Sequence, residues 1–140
     1  MTPEEIESFL SAPRDGVLSV VLPSGRAMGT PIWFRWVGGV ARFQSPTTSA
    51  KTAALRRTGR ASLCVHDQTL PLARYVTLEG PVREVEFDLD ADIGDAARHY
   101  LGDGASGFLA GIERAIASGR RWVSFELEPA TVTGRSQTLG

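Results

Sequence analysis

The chain has few of the residues that build disulfides and metal centres. Its 140 residues include one cysteine, Cys64, and two histidines, His66 and His99. A single cysteine cannot form an intramolecular disulfide, which fits a reducing, cytoplasmic setting. Cys64 and His66 share one face of a predicted strand, but two soft ligands without further partners make a weak metal site, so we expect no metal. The same pair has the chemistry of a nucleophile and its base, although packing and hydrogen bonding near a strand end explain it better.

Long apolar runs and an excess of charge of one sign are also missing. The formal net charge is -1, which gives no indication of a nucleic-acid partner. No apolar run is long enough to span a bilayer, and the acidic start MTPEEIESFL argues against a signal or transit peptide. Glycine-rich nucleotide motifs of the Gly-x-Gly-x-x-Gly and Walker types are absent. We therefore expect a small-molecule partner, without nucleic acid or membrane.

The length and the hydrophobic pattern predict one domain, residues 1–140, with more strand than helix. Predicted strands cover residues 17–22, 27–36, 40–44, 60–67, 74–86, 121–128 and 130–134, and predicted helices cover 3–12, 49–57, 88–101 and 106–118. Short turns, including Gly38-Gly39, predict an antiparallel sheet whose first three strands form a meander, and Gly80-Pro81 predicts a bend. The expected fold is mainly β with α: an antiparallel barrel with flanking helices, in a chain short enough to gain from dimerising.

A polar loop at residues 44–49 opens directly into the predicted helix 49–57, which carries Lys51, the only lysine in the chain. Hydroxyls and free backbone N–H groups at a helix N-terminus, together with the helix dipole, favour a bound anion. Ala53, Ala54 and Leu55 are the predicted buried side of this helix. A simpler interpretation is that Thr47, Thr48 or Ser49 merely caps the helix and Lys51 is a solvated charge. The residues alone leave both interpretations open.

The chain has no evident set of catalytic side chains, which leaves a cofactor as the carrier of any difficult chemistry. Lys51 and its loop then hold the cofactor's anionic end. Trp33, Trp36, Trp122 and Tyr75 are candidates for an aromatic wall. Packing in the core or at a dimer contact explains each of these aromatic residues as well.

Short motifs follow one another in a fixed order along most of the chain, from about residue 6 to residue 134. They are Pro31-Ile32-Trp33-Phe34, Gly38-Gly39, Phe43-Gln44-Ser45, Ser49-Ala50-Lys51, Leu55-Arg56-Arg57 and the run from Arg74 to Val82. This ordered set resembles the flavin/deazaflavin oxidoreductase superfamily, the pyridoxamine 5'-phosphate oxidase-like split barrel. The Trp33-Phe34 strand and the Leu55-Arg56-Arg57 helix end look most like the branch that uses coenzyme F420.

The resemblance implies a split β-barrel that forms a homodimer with two cofactor sites at the subunit interface. It implies that the cofactor's anionic end meets Gln44, Ser45, Ser49, Ala50 and Lys51, and that its ring lies along Pro31, Ile32, Trp33 and Phe34. The second subunit would contribute residues near Tyr75 and Trp122, and the helices within 88–118 would cover the barrel or line the substrate mouth. Hydride would pass between the cofactor ring and a bound substrate without a protein nucleophile, so no catalytic side chain is expected.

The residue before Lys51 bears on the choice of cofactor. Members of the superfamily that hold flavin mononucleotide (FMN) often have an arginine there, whereas this chain has Ala50. Losing a bidentate grip weakens a compact phosphate more than a long polyanionic tail, to which Arg56, Arg57 and Arg60 would add charge. We therefore expect hydride transfer between reduced F420 and a small conjugated organic substrate. An FMN-dependent oxidase or reductase is the alternative, and a non-catalytic binder of a cofactor or tetrapyrrole stays open.

Overall fold

Eight strands form the framework of the protein, and four α-helices flank it. The computed structural model describes residues 1–140. In chain order the elements are α1 (Pro3–Ser11), β1 (Gly16–Val21), β2 (Ala27–Ile32), β3 (Arg35–Val37), β4 (Val40–Pro46), α2 (Ala50–Thr58), β5 (Arg60–Thr69), β6 (Leu72–Val85), α3 (Asp95–Leu101), α4 (Ala105–Ala117), β7 (Trp122–Leu127) and β8 (Thr131–Thr138). A π-helical segment, Leu89–Gly94, leads into α3, and a 3-10 turn, Gly102–Gly104, separates α3 from α4. The predicted mainly β, antiparallel fold with flanking helices is confirmed.

The long strand β6 joins the two halves of the sheet, whose strand order is β2-β1-β5-β6-β7-β4-β3 with β8 also paired to β6. Its first part pairs with β5 through Pro81, and from Val82 onward it pairs with β7. Gly80 lies at this change of partner, where an added Cβ would stand 2.3 Å from the Glu128 carbonyl oxygen and 2.7 Å from the Ala130 nitrogen. The bend predicted at Gly80-Pro81 thus coincides with a close backbone approach that only glycine allows.

Alternating apolar residues of the strands form the core between the two halves of the sheet. Its largest fully buried side chains include Phe43, Phe125, Leu18, Leu63, Leu78 and Leu127. Phe43 and Phe125 pair across β4 and β7 with their rings stacked at 5.7 Å. Because strand side chains alternate between two faces, the residues between these core positions point to the opposite face, where the site lies.

The predicted strand 27–36 is wrong, because the structure divides it into β2 and β3. Its break falls at Trp33 and Phe34, where the Phe34 N–H donates to the Tyr100 hydroxyl at 3.2 Å instead of to a neighbouring strand. The predicted meander is wrong for the same reason: β2 pairs with β1, β3 pairs with β4, and the two lie at opposite ends of the strand order.

Three smaller corrections concern the ends of elements. The predicted strand 40–44 continues through residues 45 and 46, which were predicted as loop, because they pair with β7. In α2 it is Thr52, not the exposed Ala53, that joins Ala54 and Leu55 on the buried side. The last strand continues to Thr138 because it pairs with β6 along its length.

Several local predictions are confirmed. The start Thr2-Pro3-Glu4-Glu5 has the sequence pattern that predicts a capping box. Thr2 and Glu5 form this reciprocal box at the start of α1, with hydrogen bonds of 2.7 and 3.1 Å. Gly38 and Gly39 both have positive φ, 59° and 79°, in the β3–β4 hairpin. None of the helices combines the length and the apolarity that crossing a bilayer requires.

Candidate cofactor-binding groove

A groove lies where the ends of β2 and β4 meet the start of α2 beneath α3 and α4. We call it the Lys51 groove, and its cavity holds about 210 Å³. It is lined by Pro31, Ile32, Trp33, Gln44, Lys51, Ile93, Ala96, Phe108, Ile112 and Trp122. Seven of these ten residues are hydrophobic and an eighth is Pro31, so the two polar side chains, Gln44 and Lys51, face an almost wholly apolar wall. Small-molecule sites characteristically combine such a wall with a few convergent polar groups.

Lys51 brings an unpaired charge into this groove. It is the second residue of α2, and its side chain is half-buried. No carboxylate of the chain forms a salt bridge with its ammonium group, although nine other ion-pair contacts are present. Burial without a partner lowers the pKa of Lys51 below its ordinary value. An anionic ligand is the partner that such an ammonium lacks, and the nearby helix N-terminus favours the same charge.

The hydroxyl groups beside Lys51 form hydrogen bonds between the end of β4 and the start of α2. Ser49 is the N-cap of α2 and accepts the Thr52 N–H at 3.1 Å. Ser45 Oγ lies 2.6 Å from Thr52 Oγ1, and Thr52 Oγ1 donates to the Pro46 carbonyl at 2.6 Å. This cluster ties the end of β4 to the start of α2 and so fixes the position of Lys51. Ser45 is 0 % exposed, so the structure does not present it to a ligand as the resemblance implied.

Gln44, the other polar residue of the groove, belongs to a hydrogen-bonded chain that leads to a buried carboxylate. Gln44 Nε2 donates to Ser124 Oγ at 3.2 Å, and Ser124 Oγ donates to Asp92 Oδ2 at 2.7 Å. Arg42 grips both Asp92 oxygens, at 2.6 and 3.0 Å. Burial alone would raise the pKa of Asp92, but the hydrogen bonds from Arg42, the Asp88 N–H and Ser124 together hold it below its ordinary value. Asp92 is therefore ionised at neutral pH.

An aromatic cluster forms the opposite wall of the groove. Trp33 stacks on Tyr100 with ring centroids 4.9 Å apart and planes 8° from parallel, and Phe108 packs at 5.1 Å. The Tyr100 hydroxyl donates to the Arg14 carbonyl at 2.7 Å, and burial raises the pKa of Tyr100, which keeps it a donor. Trp33 is thus held with one ring face covered by Tyr100, and it also lines the groove.

The structure brings together six of the residues expected at the site: Pro31, Ile32, Trp33, Gln44, Lys51 and Trp122. Trp122, which the resemblance placed in the second subunit's contribution, lines the groove of its own chain. Phe34 is 2 % exposed and packs in the core, and Ala50 is exposed at the first position of α2.

Three other candidates lie away from the groove. Arg56 is paired with Glu84 on β6 at 2.7 and 3.1 Å, so it does not extend the charge of Lys51. Tyr75 is 41 % exposed on the outer face of β6. The Trp36 indole N–H donates to Glu7 of α1 at 2.7 Å instead of facing the groove.

Asp92 and the helical wall of the groove are absent from the sequence-based site. Ile93, Ala96, Phe108 and Ile112 line the groove, as expected for helices that cover the barrel, but their periodicity shows a buried stripe without naming what it faces. For Asp92 the sequence offers one indirect signal, the polar face of β7 that carries Ser124 and Glu126. No three histidine, cysteine or carboxylate side chains are grouped so that they could hold a metal ion.

Residues 2–134 match the family model described as pyridoxamine 5'-phosphate oxidase. The chain belongs to this split-barrel oxidoreductase family. Among curated proteins, none matches the sequence significantly. The match covers β1 to β7 and every residue that lines the Lys51 groove.

Solved structures show the same fold. A structure described as an F420 reductase has a TM-score of 0.72 at 23% identity, covering 94% of this chain and 98% of that one. A conserved hypothetical protein of Mycobacterium tuberculosis, Rv2991, has a TM-score of 0.78 at 23% identity, covering 96% and 84% of the two chains. A FAD-binding protein of Mesorhizobium loti has a TM-score of 0.68 at 18% identity, covering 97% and 93%.

Proposed function

We propose that this protein transfers a hydride between coenzyme F420 and a small conjugated organic substrate, with the Lys51 groove as the cofactor site. The observation that carries the proposal is the ammonium of Lys51, which is half-buried, unpaired and placed at the edge of an apolar groove. A bare cation beside an aromatic wall suits a ligand with an acidic end and a flat ring, which is the build of flavin and deazaflavin cofactors. The similarity to an F420 reductase supports the same choice.

The residues present fit such a cofactor. Lys51 and the N-terminus of α2 would hold its acidic end, and Pro31, Trp33 and Trp122 would flank its ring. The bound cofactor supplies the hydride chemistry, so the chain's task is to bind, orient and exclude water. The apolar lining of the groove keeps water away from the ring, and the Tyr100 stack fixes the Trp33 face against which the ring would lie.

The size of the groove supports a homodimer. At about 210 Å³ it is smaller than the roughly 300–1,000 Å³ of typical small-molecule sites, so one chain supplies part of a site. Val17, Cys64 and Thr77 form a row across β1, β5 and β6 on the face away from the core, with Tyr75 nearby on the same face. A second copy packed on this face would complete the site, with Tyr75 as its contribution.

A place for the substrate adjoins the cofactor groove. A second cleft of about 340 Å³ is lined by Asp15 together with Pro31, Ile32, Trp33 and Phe108. Four of these five residues also line the Lys51 groove, so the two clefts adjoin and ligands bound in them would lie side by side. Hydride transfer needs this kind of proximity between two bound rings.

FMN is the second candidate cofactor, and the similarity to a FAD-binding protein favours a flavin. Two of the arginines expected to extend the grip are engaged elsewhere, Arg56 with Glu84 and Arg57 with the Val21 carbonyl. The preference for F420 therefore depends on Ala50, which gives a compact phosphate no second cation, and on the F420 reductase likeness.

A binding screen on one protein batch tests the proposal. F420, FMN, FAD and haem are each titrated into the protein, and binding is followed by fluorescence or absorbance. We expect F420 to bind with micromolar or tighter affinity and reduced F420 to be oxidised in the presence of a panel of conjugated substrates. An unchanged F420 signal contradicts the F420 assignment, flavin retention alone supports the FMN alternative, and binding without turnover across the panel contradicts the enzymatic role.

A further inference from the structure

The orientation of the Gln44 amide is dictated by groups that lie behind the groove. Asp92 is 4 % exposed and Ser124 is 0 % exposed, so neither touches a ligand directly. Both nevertheless determine what Gln44 presents, because the three side chains form one hydrogen-bonded line from the interior to the groove.

Asp92 fixes the direction in which the Ser124 hydroxyl donates its hydrogen bond. The ionised carboxylate can only accept, and its Oδ2 atom accepts from Ser124 Oγ at 2.7 Å, from the Asp88 N–H at 3.0 Å and from Arg42 at 3.0 Å. The single hydroxyl proton of Ser124 is therefore committed to Asp92. Ser124 Oγ can then only accept from its other neighbour, so that neighbour must be a donor.

Gln44 meets this requirement in one of its two amide orientations. The NH2 group donates to Ser124 at 3.2 Å, which turns the amide oxygen the other way. That oxygen has no partner in the chain, and every buried side-chain oxygen or nitrogen does have one, so the Gln44 oxygen is accessible in the groove. The register supports this geometry because Gln44 and Ser124 are direct cross-strand neighbours on β4 and β7.

We propose that Asp92, acting through Ser124, is a positioning residue that fixes the Gln44 amide oxygen toward the groove, so that the site selects a ring bearing a hydrogen-bond donor. The inference rests on the proposed function, since it assigns a recognition element to the same cofactor site. The ring N–H of the pyrimidine portion of a flavin or deazaflavin is such a donor. Lys51 then holds the anionic end of the cofactor. The Gln44 amide oxygen is an acceptor, so it takes the ring N–H and not the anionic end that the resemblance implied for it.

A double-mutant cycle tests the line of hydrogen bonds. Gln44→Ala, Ser124→Ala and the double variant are titrated with whichever of F420 and FMN the unaltered protein binds. Ser124→Ala should weaken binding about three- to tenfold when Gln44 is present, the range of one neutral hydrogen bond. It should change binding less than about twofold in the Gln44→Ala background, where nothing is left to orient. Equal losses in both backgrounds would overturn the inference, because Ser124 would then act through the general structure.

Asp92→Asn provides a sharper readout. The asparagine amide can donate to Ser124, which frees the Ser124 proton to donate to Gln44 and turns the Gln44 NH2 group toward the groove. The unaltered protein should prefer the native cofactor over a form methylated on the ring nitrogen, and Asp92→Asn should lose most of that preference. Glu126→Gln is the matched control, since Glu126 also contacts Arg42, at 3.4 Å, but lies off the line to Gln44.

The outcomes separate this inference from the proposed function. Absence of F420 and FMN binding to the unaltered protein contradicts the proposed function itself. Binding with retained discrimination in folded Asp92→Asn contradicts only the positioning role. Should Asp92→Asn fail to fold, which a thermal melt would show, the Ser124 and Gln44 cycle still decides.

Discussion

Two cations on neighbouring elements, Arg42 and Lys51, face the same side of the sheet and have opposite surroundings. Arg42 on β4 is paired with Asp92 and Glu126 and also donates to the Glu86 carbonyl. Lys51 on α2 is half-buried and has no carboxylate partner. A fully paired buried charge holds structure, whereas an unpaired one raises the free energy of the unliganded protein and is relieved by a ligand. This contrast distinguishes the part of the sheet that supports the groove from the part that binds.

The largest effect is expected when the ion pair between Arg42 and Asp92 is broken. Asp92→Ala removes the main partner of Arg42 and the acceptor of the Ser124 hydroxyl and the Asp88 N–H. Arg42 keeps Glu126 and the Glu86 carbonyl, so the free energy of unfolding should fall by about 3 kcal/mol, the cost of leaving buried donors without an acceptor. Chemical denaturation measures the change. Asp90→Ala is the control, because Asp90 pairs with Arg98 at the surface and should cost about 1 kcal/mol or less. Similar losses in the two variants would contradict the structural role of the Arg42–Asp92 pair.

Removing the unpaired charge of Lys51 should weaken cofactor binding without lowering the stability of the fold. Lys51→Ala should weaken F420 or FMN binding by about 10- to 100-fold, the range of a hydrogen bond to a charged group. Its thermal stability should be unchanged or slightly raised, because burial of an unpaired ammonium is unfavourable. Isothermal titration and a thermal melt on the same sample provide both numbers. A Lys51→Ala variant with a lowered melting temperature and normal cofactor affinity would show that Lys51 stabilises the fold and does not bind the cofactor.

The pH dependence of cofactor affinity should follow the ionisation of Lys51. Burial lowers its pKa in the free protein, and an anionic ligand raises it again. Affinity is therefore complete below the free-state pKa and falls as pH rises through it. Stability of the free protein changes in the opposite sense, since the unfolded chain holds the lysine proton to higher pH. Lys51→Arg removes the titration because guanidinium stays charged, so its affinity should be flat over the same range. An alkaline decline of equal size in Lys51→Arg would assign the titration to another group.

The smallest effect is expected at Arg56. Its guanidinium is paired with Glu84 on an exposed surface, so Arg56→Ala should alter cofactor affinity by less than about twofold. The same titration used for Lys51→Ala measures it. A loss comparable with that of Lys51→Ala would show that Arg56 leaves Glu84 to reach the ligand, as the sequence resemblance implied.

Local signals explain what could be predicted from the sequence. The capping box at Thr2, the Gly38-Gly39 hairpin and the rare lysine behind a hydroxyl-rich helix start all act within a few residues, and each is found where expected. These signals place Lys51 at the start of α2, but the residues alone left open whether its ammonium is solvated or faces a groove.

Distant partners explain what could not be predicted. The strand expected at 27–36 breaks because Phe34 donates to Tyr100, 66 positions later. Arg56 leaves the site because of Glu84, 28 positions later, and Asp92 acquires its role only by meeting Arg42, 50 positions earlier. No local pattern contains these pairings, because they arise when the two halves of the sheet close on each other.

The single lysine allows a direct test of the unpaired charge. Isotope labelling of lysine gives one side-chain signal, whose pH titration by NMR reports the ammonium of Lys51 alone. We predict a pKa below the ordinary lysine value in the free protein and a clear rise when saturating F420 or FMN is added. An ordinary pKa that a bound cofactor does not move would contradict the assignment of Lys51 as the group that holds it.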